Sequence, residues 1–148
     1  MCVCENGASL TALNLSSITS EDTDAVVEAL EGNTALVNLQ LNLHFDPPVA
    51  LIKAVASSTV LRKLNLNGCV RSGDSFAALA EAIESNTVLE ELLLNSNRLT
   101  RADVGGMARF LSSNTVLRSL SLEGNLGIGT LGTNVLAAAM GCNRCVCV

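Results

Sequence analysis

One stretch of this chain recurs almost intact, and its recurrence restricts the fold more than any other feature. Residues 85–99 read SNTVLEELLLNSNRL and residues 113–126 read SNTVLRSLSLEGNL. Both contain Leu-x-x-Leu-x-Leu-x-x-Asn, carried by Leu89, Leu92, Leu94 and Asn97 and then by Leu117, Leu120, Leu122 and Asn125. The copies lie 28 residues apart. Self-similarity at this period is the mark of a stacked, quasi-one-dimensional architecture. Alternation such as Leu92-x-Leu94 suits a strand with one buried face. The asparagine that follows suits a turn, because its side chain can satisfy backbone groups that the turn leaves unpaired.

Weaker copies precede these two. Leu10, Leu13, Leu15 and Ile18 form a first, Leu36, Leu39 and Leu41 a second, and Leu61, Leu64, Leu66 and Cys69 a third. Strand starts therefore fall near 10, 36, 61, 89 and 117, with a partial sixth at Val146. Between strands the apolar period lengthens from two to about 3.6, as in a helix with one buried face. The pairs Val26/Leu30, Leu51/Val55, Leu79/Ile83, Met107/Leu111 and Leu136/Met140 mark that face. Ala80, Ala108 and Ala137 beside it are small enough for helices to approach closely, while Glu28, Lys53, Glu81 and Arg109 face water. Asp46-Pro47 reads as a helix cap followed by proline in the first turn, and Ser20, Ser72 and Thr100 as further caps. Gly7, Asn33, Asn86, Asn114 and Asn143 fall at helix C-terminal turns, where a left-handed backbone is expected. Ser58 breaks that rule. One strand-helix unit cannot bury both its leucine row and its helix face, so units must stack. The expectation is an α/β fold of about five repeats in a single domain, residues 1–148. Its parallel sheet lines the concave face of a curved right-handed stack, and its helices form the convex face.

Composition supports this reading. Hydrophobic residues make up 49% of the 148, but no apolar run reaches membrane-spanning length. With 2% aromatics and no Trp or Tyr, Leu, Ile, Val and Ala are expected to build the core. The net charge is −5 and the basic residues are scattered, which argues against a nucleic-acid footprint. Met1-Cys2-Val3-Cys4-Glu5 lacks the basic and apolar regions of a signal peptide. Six cysteines without such a signal favour a reducing, cytoplasmic setting.

The pattern resembles the leucine-rich repeat family, specifically its ribonuclease-inhibitor-like class, in repeat length and in having a full helix per repeat. That class takes Asn or Cys at the ninth motif position. Here the column reads Ile18, His44, Cys69, Asn97, Asn125; three conform, and Ile18 and His44 depart. The resemblance implies a scaffold that binds another protein on its sheet. Relatives in this class also suggest two narrower roles: a GTPase activator like the Ran activator, or an actin-capping module like the end domain of tropomodulin.

Three constellations invite chemistry. Stacked strands would bring His44, Cys69 and Asn97 to successive rungs about 5 Å apart, the residue types of a cysteine protease. The column is also a structural position of the repeat, and plugging the turn is the favoured reading. Cys142-x-x-Cys145-x-Cys147 resembles part of a metal site, but zinc normally wants four ligands. The other pair, Cys2 and Cys4, lies at the opposite end of the stack, about 20 Å or more away. Arg62-Lys63, Glu90-Glu91 and Arg118 fall at matching positions of neighbouring strands, where opposite charges brace a sheet. The Gly124–Gly132 stretch reads as a loose loop without the lysine of a phosphate-binding loop. No catalytic residue, metal or cofactor is expected.

The concave face is the surface to read as a site. Residues between the buried leucines form one row, Asn14, Gln40, Asn65, Leu93 and Ser121, and another, Ser16, Asn42, Asn67, Asn95 and Glu123. With Lys63 and Glu91 these make a polar face for a protein partner, with Leu93 as its apolar anchor. An amide ladder along the stack is the structural alternative, compatible with binding. No capping unit is recognised at either end of the stack, so either the ends meet in an oligomer or the chain is part of a longer solenoid; the isolated chain is expected to self-associate through its ends, with Cys2, Cys142 and Cys147 near the junction.

Overall fold

The computed structural model describes residues 9–16 and 18–142, except for the side chain of Cys142. Five strands, β1 (Ala12–Ser16), β2 (Asn38–Asn42), β3 (Lys63–Asn65), β4 (Glu91–Leu93) and β5 (Ser119–Ser121), form one parallel sheet in chain order. Each is followed by a helix: α1 (Thr23–Glu31), α2 (Val49–Ala56), α3 (Gly73–Ser85), α4 (Val104–Ser113) and α5 (Gly129–Cys142). Sequential strands pair and sequential helices touch, giving a sheet layer and a helix layer.

The register is the one read from the repeat. Leu13, Leu39, Leu64, Leu92 and Leu120 are partners across the sheet, and so are Asn14, Gln40, Asn65, Leu93 and Ser121. One backbone rung repeats along the chain. Val37 and Asn38 N–H donate to Thr11 O, and Arg62 and Lys63 to Val37 O. Glu90 and Glu91 then donate to Arg62 O, and Arg118 and Ser119 to Glu90 O. The core lies between the layers, where Leu39, Leu41, Leu64, Leu66, Leu92 and Leu94 meet Leu51, Val55, Leu79, Ile83, Met107 and Leu111. The aromatic count misleads here. Phe76 of α3 and Phe110 of α4 are the largest fully buried side chains, so the core is not aliphatic alone.

The asparagines at helix ends work differently from expectation. Asn86 and Asn114 have extended backbones, not left-handed ones. Their side chains do the work. Asn33 Oδ1 accepts from the N–H groups of Ala35 and Leu36, Asn86 Oδ1 from Val88 and Leu89, and Asn114 Oδ1 from Val116 and Leu117. Ser58 Oγ accepts from Val60 and Leu61 in the same way. The position requires a side-chain acceptor oxygen close to the backbone, and serine supplies it, which removes the apparent exception. The amide adds a second bond: Asn86 Nδ2 donates to Ala56 O and Ser58 O, and Asn114 Nδ2 to Ile83 O and Asn86 O. Each unit is thereby tied to the one before it.

Left-handed backbone occurs instead just after β3, β4 and β5, at Gly68 (φ 68°), Ser96 (φ 55°) and Gly124 (φ 75°). These are equivalent repeat positions, each immediately before the plug residue: Cys69, Asn97 and Asn125. Leu43 holds that position in the second repeat. A bulky side chain disfavours positive φ, and Leu43 does not adopt it.

Two cap assignments also change. Ser72 caps α3 as expected, accepting from Ser75 N–H at 3.3 Å. Asp46 does not cap α2, which begins at Val49 after Pro48. Its carboxylate reaches the next repeat and accepts from the Arg71 and Ser72 N–H groups and the Ser72 and Ser75 hydroxyls. Ser20 lies inside a short 3-10 turn, Ser20–Asp22, and Thr19 is the cap, with its N–H and hydroxyl both donating to Asp22. Thr100 and Asp103 repeat this Thr-x-x-Asp arrangement. The Gly124–Gly132 stretch is more ordered than a loop: Leu126–Ile128 form a 3-10 turn and Gly129 opens α5.

The open sheet face as candidate functional site

On the sheet face away from the helices, β1 to β5 present the two rows read from the sequence. Gln40, Asn42, Asn65, Asn67, Leu93, Asn95 and Ser121 are half-buried there, while Asn14, Ser16 and Glu123 are exposed. Alternation decides this: Leu92 and Leu94 are buried, so Leu93 between them turns outward beside Asn65 and Ser121.

The amides form a ladder, though mostly to backbone. Asn65 Oδ1 accepts from Asn67 N–H, Asn67 Oδ1 from Asn95 N–H at 2.7 Å, and Asn95 Oδ1 from Glu123 N–H at 2.8 Å. Ser121 Oγ also donates to Asn95 Oδ1 at 2.6 Å. At the other end, Asn42 Nδ2 donates to Asn14 Oδ1 and Gln40 Nε2 to Asn42 Oδ1. Over β3 and β4 the amide oxygens are thus spent on the protein's own backbone. The amides of Asn65, Asn67 and Asn95 surround Leu93, which turns outward on the same face. Between β1, β2 and β3 the same face holds a shallow depression of about 380 Å³, lined by Ala12, Asn14, Asn38, Gln40, Lys63 and Asn65.

The charges at the strand starts pair with each other. Arg62 bonds Glu90, and Lys63 Nζ lies 2.8 Å from Glu91 Oε1. All four side chains keep substantial exposure, so each pair is worth about 0–1 kcal/mol. The geometry is that of bracing between neighbouring strands, and it leaves Lys63 and Glu91 accessible at the edge of the face.

The His44–Cys69–Asn97 column separates in space by role. Cys69 is buried, donates to Leu41 O at 2.9 Å and accepts from Leu43 N–H at 3.4 Å. Burial pushes its thiol up, against smaller downward pulls from the Leu43 N–H and the Arg71 charge, so it stays protonated and can donate. Asn97 Nδ2 donates to Leu66 O while its Oδ1 accepts from Val70 N–H at 2.8 Å; Asn125 repeats this with Leu94 O and Leu99 N–H. These side chains plug the turns. His44 is exposed, and its contribution is a backbone carbonyl that accepts from Arg71. Cys2, Cys4, Cys145 and Cys147 lie outside the described residues, as does the sixth strand start at Val146. Among the described residues no group of three His, Cys, Asp or Glu side chains could hold a metal ion, and no helix is long and apolar enough to cross a membrane.

Two signals escaped sequence reading: the cross-repeat reach of Asp46 and the left-handed column at Gly68, Ser96 and Gly124. The second was legible in principle, since two of its three residues are glycine at a fixed motif position.

No family model matches the chain, and no curated protein matches it. Among solved structures it is similar to the actin-binding site 2 of leiomodin-1, with a TM-score of 0.67 and 25% sequence identity. That likeness covers 88% of this chain and 81% of the leiomodin-1 chain.

Proposed function

We propose that this chain is a non-enzymatic protein-binding module of the leucine-rich repeat, ribonuclease-inhibitor-like class, a curved solenoid that engages its partner through the open sheet face. Actin is the partner the observations favour. The observation that carries this is the likeness to the actin-binding site 2 of leiomodin-1, which runs through nearly the whole sheet and helix array rather than one local motif. The chemistry of the face is compatible: half-buried Asn65, Asn67 and Asn95 around Leu93, flanked by the Lys63–Glu91 pair, suit a polar protein surface with an apolar contact.

Co-sedimentation with actin filaments, beside a binding titration against monomeric actin, tests the reading. Saturable binding in either assay, weakened by Leu93→Ala and by Asn95→Ala in folded protein, is the expected result. Absence of binding to both forms of actin removes actin as the partner. Binding that both substitutions leave unchanged removes the sheet face as the site.

A further inference from the structure

Asparagine followed by glycine is the step of a polypeptide most prone to lose its side-chain amide, because no Cβ on the glycine shields its nitrogen from the amide carbon before it. The described residues contain one such step, Asn67–Gly68; the other, Asn6–Gly7, lies outside them. The repeat itself creates the pair. Gly68 holds the left-handed position before the Cys69 plug, and a Cβ on it would meet no atom within 4 Å, so backbone conformation alone calls for glycine. The fourth repeat has Asn95–Ser96 at these two columns and the fifth Glu123–Gly124, so asparagine and glycine coincide in the third. In a free chain the Gly68 nitrogen attacks Asn67 Cγ. The new Cγ–N bond closes a succinimide, the Cγ–Nδ2 bond breaks, and Nδ2 leaves as ammonia with the proton from Gly68 N–H. Water then opens the ring. Cleavage at Cγ gives aspartate. Cleavage at the main-chain carbonyl carbon gives isoaspartate, whose backbone runs through Cγ and is longer by a methylene.

We propose that Asn67 is a deamidation site that the fold holds shut, and that the reaction acts as a one-way covalent latch on the junction between the third and fourth repeats. Both reacting groups are clasped by a single residue of the next repeat. Gly68 N–H donates to Asn95 O at 2.9 Å, and Asn67 Oδ1 accepts from Asn95 N–H at 2.7 Å. Attack requires Gly68 to give up its proton and the Asn67 amide to swing its carbon over that nitrogen, so both bonds must give way. They tie the turn after β3 to the turn after β4, and the nitrogen is released when that junction opens, a local event that needs less than global unfolding. The clasp is a device of the repeat: Ser96 N–H donates to Glu123 O at 2.7 Å, and Asn95 Oδ1 accepts from Glu123 N–H at 2.8 Å. The two products differ in whether the clasp can be remade. Aspartate keeps the acceptor oxygen and the main-chain spacing. Isoaspartate displaces Gly68 and Cys69 along the chain, and Cys69 must reach Leu41 O and Leu43 N–H to plug its turn. A junction that opens and reacts to isoaspartate cannot close in its original form. None of this rests on the sheet face as a binding site or on actin.

Mass spectrometry of the tryptic peptide 64–71 reads both products, since trypsin cuts after Lys63 and Arg71. The wild-type chain is incubated at mildly alkaline pH in native buffer and in urea. Conversion at Asn67 should be roughly ten-fold or more slower in native buffer. Asn65, followed by Leu66, should stay intact in both. Leu92→Ala, a core truncation in β4 beside the junction, should speed the native reaction and leave the urea rate unchanged. Gly68→Ser, which gives the third repeat the residue that the fourth uses, should keep the fold and slow the reaction in urea. Equal wild-type rates with and without urea, or no conversion in either, overturn the proposal, as does a folded Leu92→Ala chain that reacts no faster. The latch is read by removing urea after partial conversion and separating folded from unfolded chains by size exclusion. Folded chains should carry asparagine and aspartate at position 67 and be depleted of isoaspartate. Asn67→Asp, tested alone, should refold and melt close to the wild type. Isoaspartate found in the folded fraction in proportion to its yield shows that the longer backbone is tolerated and overturns the latch. An Asn67→Asp chain that fails to refold overturns it too, because the junction then rejects the charge and not the length.

Discussion

Leu13 and Leu15 of β1 are equivalent by repeat position to Leu64 and Leu66 of the third repeat, and identical to them in chemistry. The first pair is half-buried and the second is fully buried. The helices show the same contrast: Val26 and Leu30 of α1 are half-buried, while Leu79 and Ile83 of α3 are buried. Burial here is a property of having a neighbour on each side. A repeat in the middle is covered by the repeats before and after it, whereas among the described residues the first repeat has a neighbour on one side. A stacked architecture therefore distributes stability unevenly even when its sequence repeats faithfully.

The largest effect should come from cutting the middle. Leu66→Ala empties a fully buried site and is expected to cost about 2–5 kcal/mol, whereas Leu13→Ala, at a half-buried site, should cost less than half as much. Urea unfolding of both variants at low protein concentration checks the ratio. Equal losses would mean that the first repeat is covered as completely as the third.

A second, smaller contrast concerns the turns. Asn97→Ala removes a buried amide that serves Leu66 O and Val70 N–H, leaving both without that partner. The expected loss is about 1–3 kcal/mol. His44→Ala, at the same column of the second repeat, alters an exposed side chain and should shift the melting temperature hardly at all. A large loss from His44→Ala would contradict the account of that turn.

Much of this was legible because the repeat fixes register. One leucine column places Asn14, Gln40, Asn65, Leu93 and Ser121 in a single row, since strands in a parallel stack add side chains at equivalent positions. What escaped was everything set by the backbone between columns. The Cys or Asn plug needs a left-handed residue before it, which Gly68, Ser96 and Gly124 supply and Leu43 does not, so His44 could not follow the motif. Asp46 looked like a local cap because Asp-Pro usually starts helices. Its partners lie 25 to 29 residues on, and only the fold brings them near. Phe76 and Phe110 were overlooked because a low aromatic count says nothing of where the few aromatics go.

Asp46 also gives the comparison a pH axis. Burial pushes its carboxyl up, but hydrogen bonds from Ser72, Arg71 and Ser75 together outweigh this and hold it below the usual range. Asp22, held low by the Thr19 N–H and hydroxyl, is bonded only within its own repeat. A carboxyl depressed in the folded state contributes stability that is complete above its unfolded pKa, about 3.9, and lost as pH falls through the folded value. Melting temperature should therefore fall with pH below about 4. Asp46→Asn should lower it at neutral pH and flatten the acid slope, because the junction between the second and third repeats no longer gains from ionisation. Identical acid slopes in wild type and variant would show that this carboxylate does not hold the junction.

The smallest effect on stability should come from the side chain that matters most to the proposed partner. Leu93 belongs to the well-covered middle of the stack, yet it stands on the open face, with buried Leu92 and Leu94 on either side. Truncating it removes contacts with Asn65 and Ser121 neighbours across the sheet but opens no cavity between the layers. Leu93→Ala is expected to leave the melting temperature nearly unchanged while Leu94→Ala lowers it as a core truncation does. In the actin assays the order should reverse: Leu93→Ala weakens binding, and a folded core variant in the same repeat, measured well below its melting temperature, binds as the wild type does. This double dissociation separates a surface held in place by the core from the core itself. If Leu93→Ala destabilised the protein as much as Leu94→Ala, the residue would be part of the packed interior, and the outward row would lose its apolar anchor.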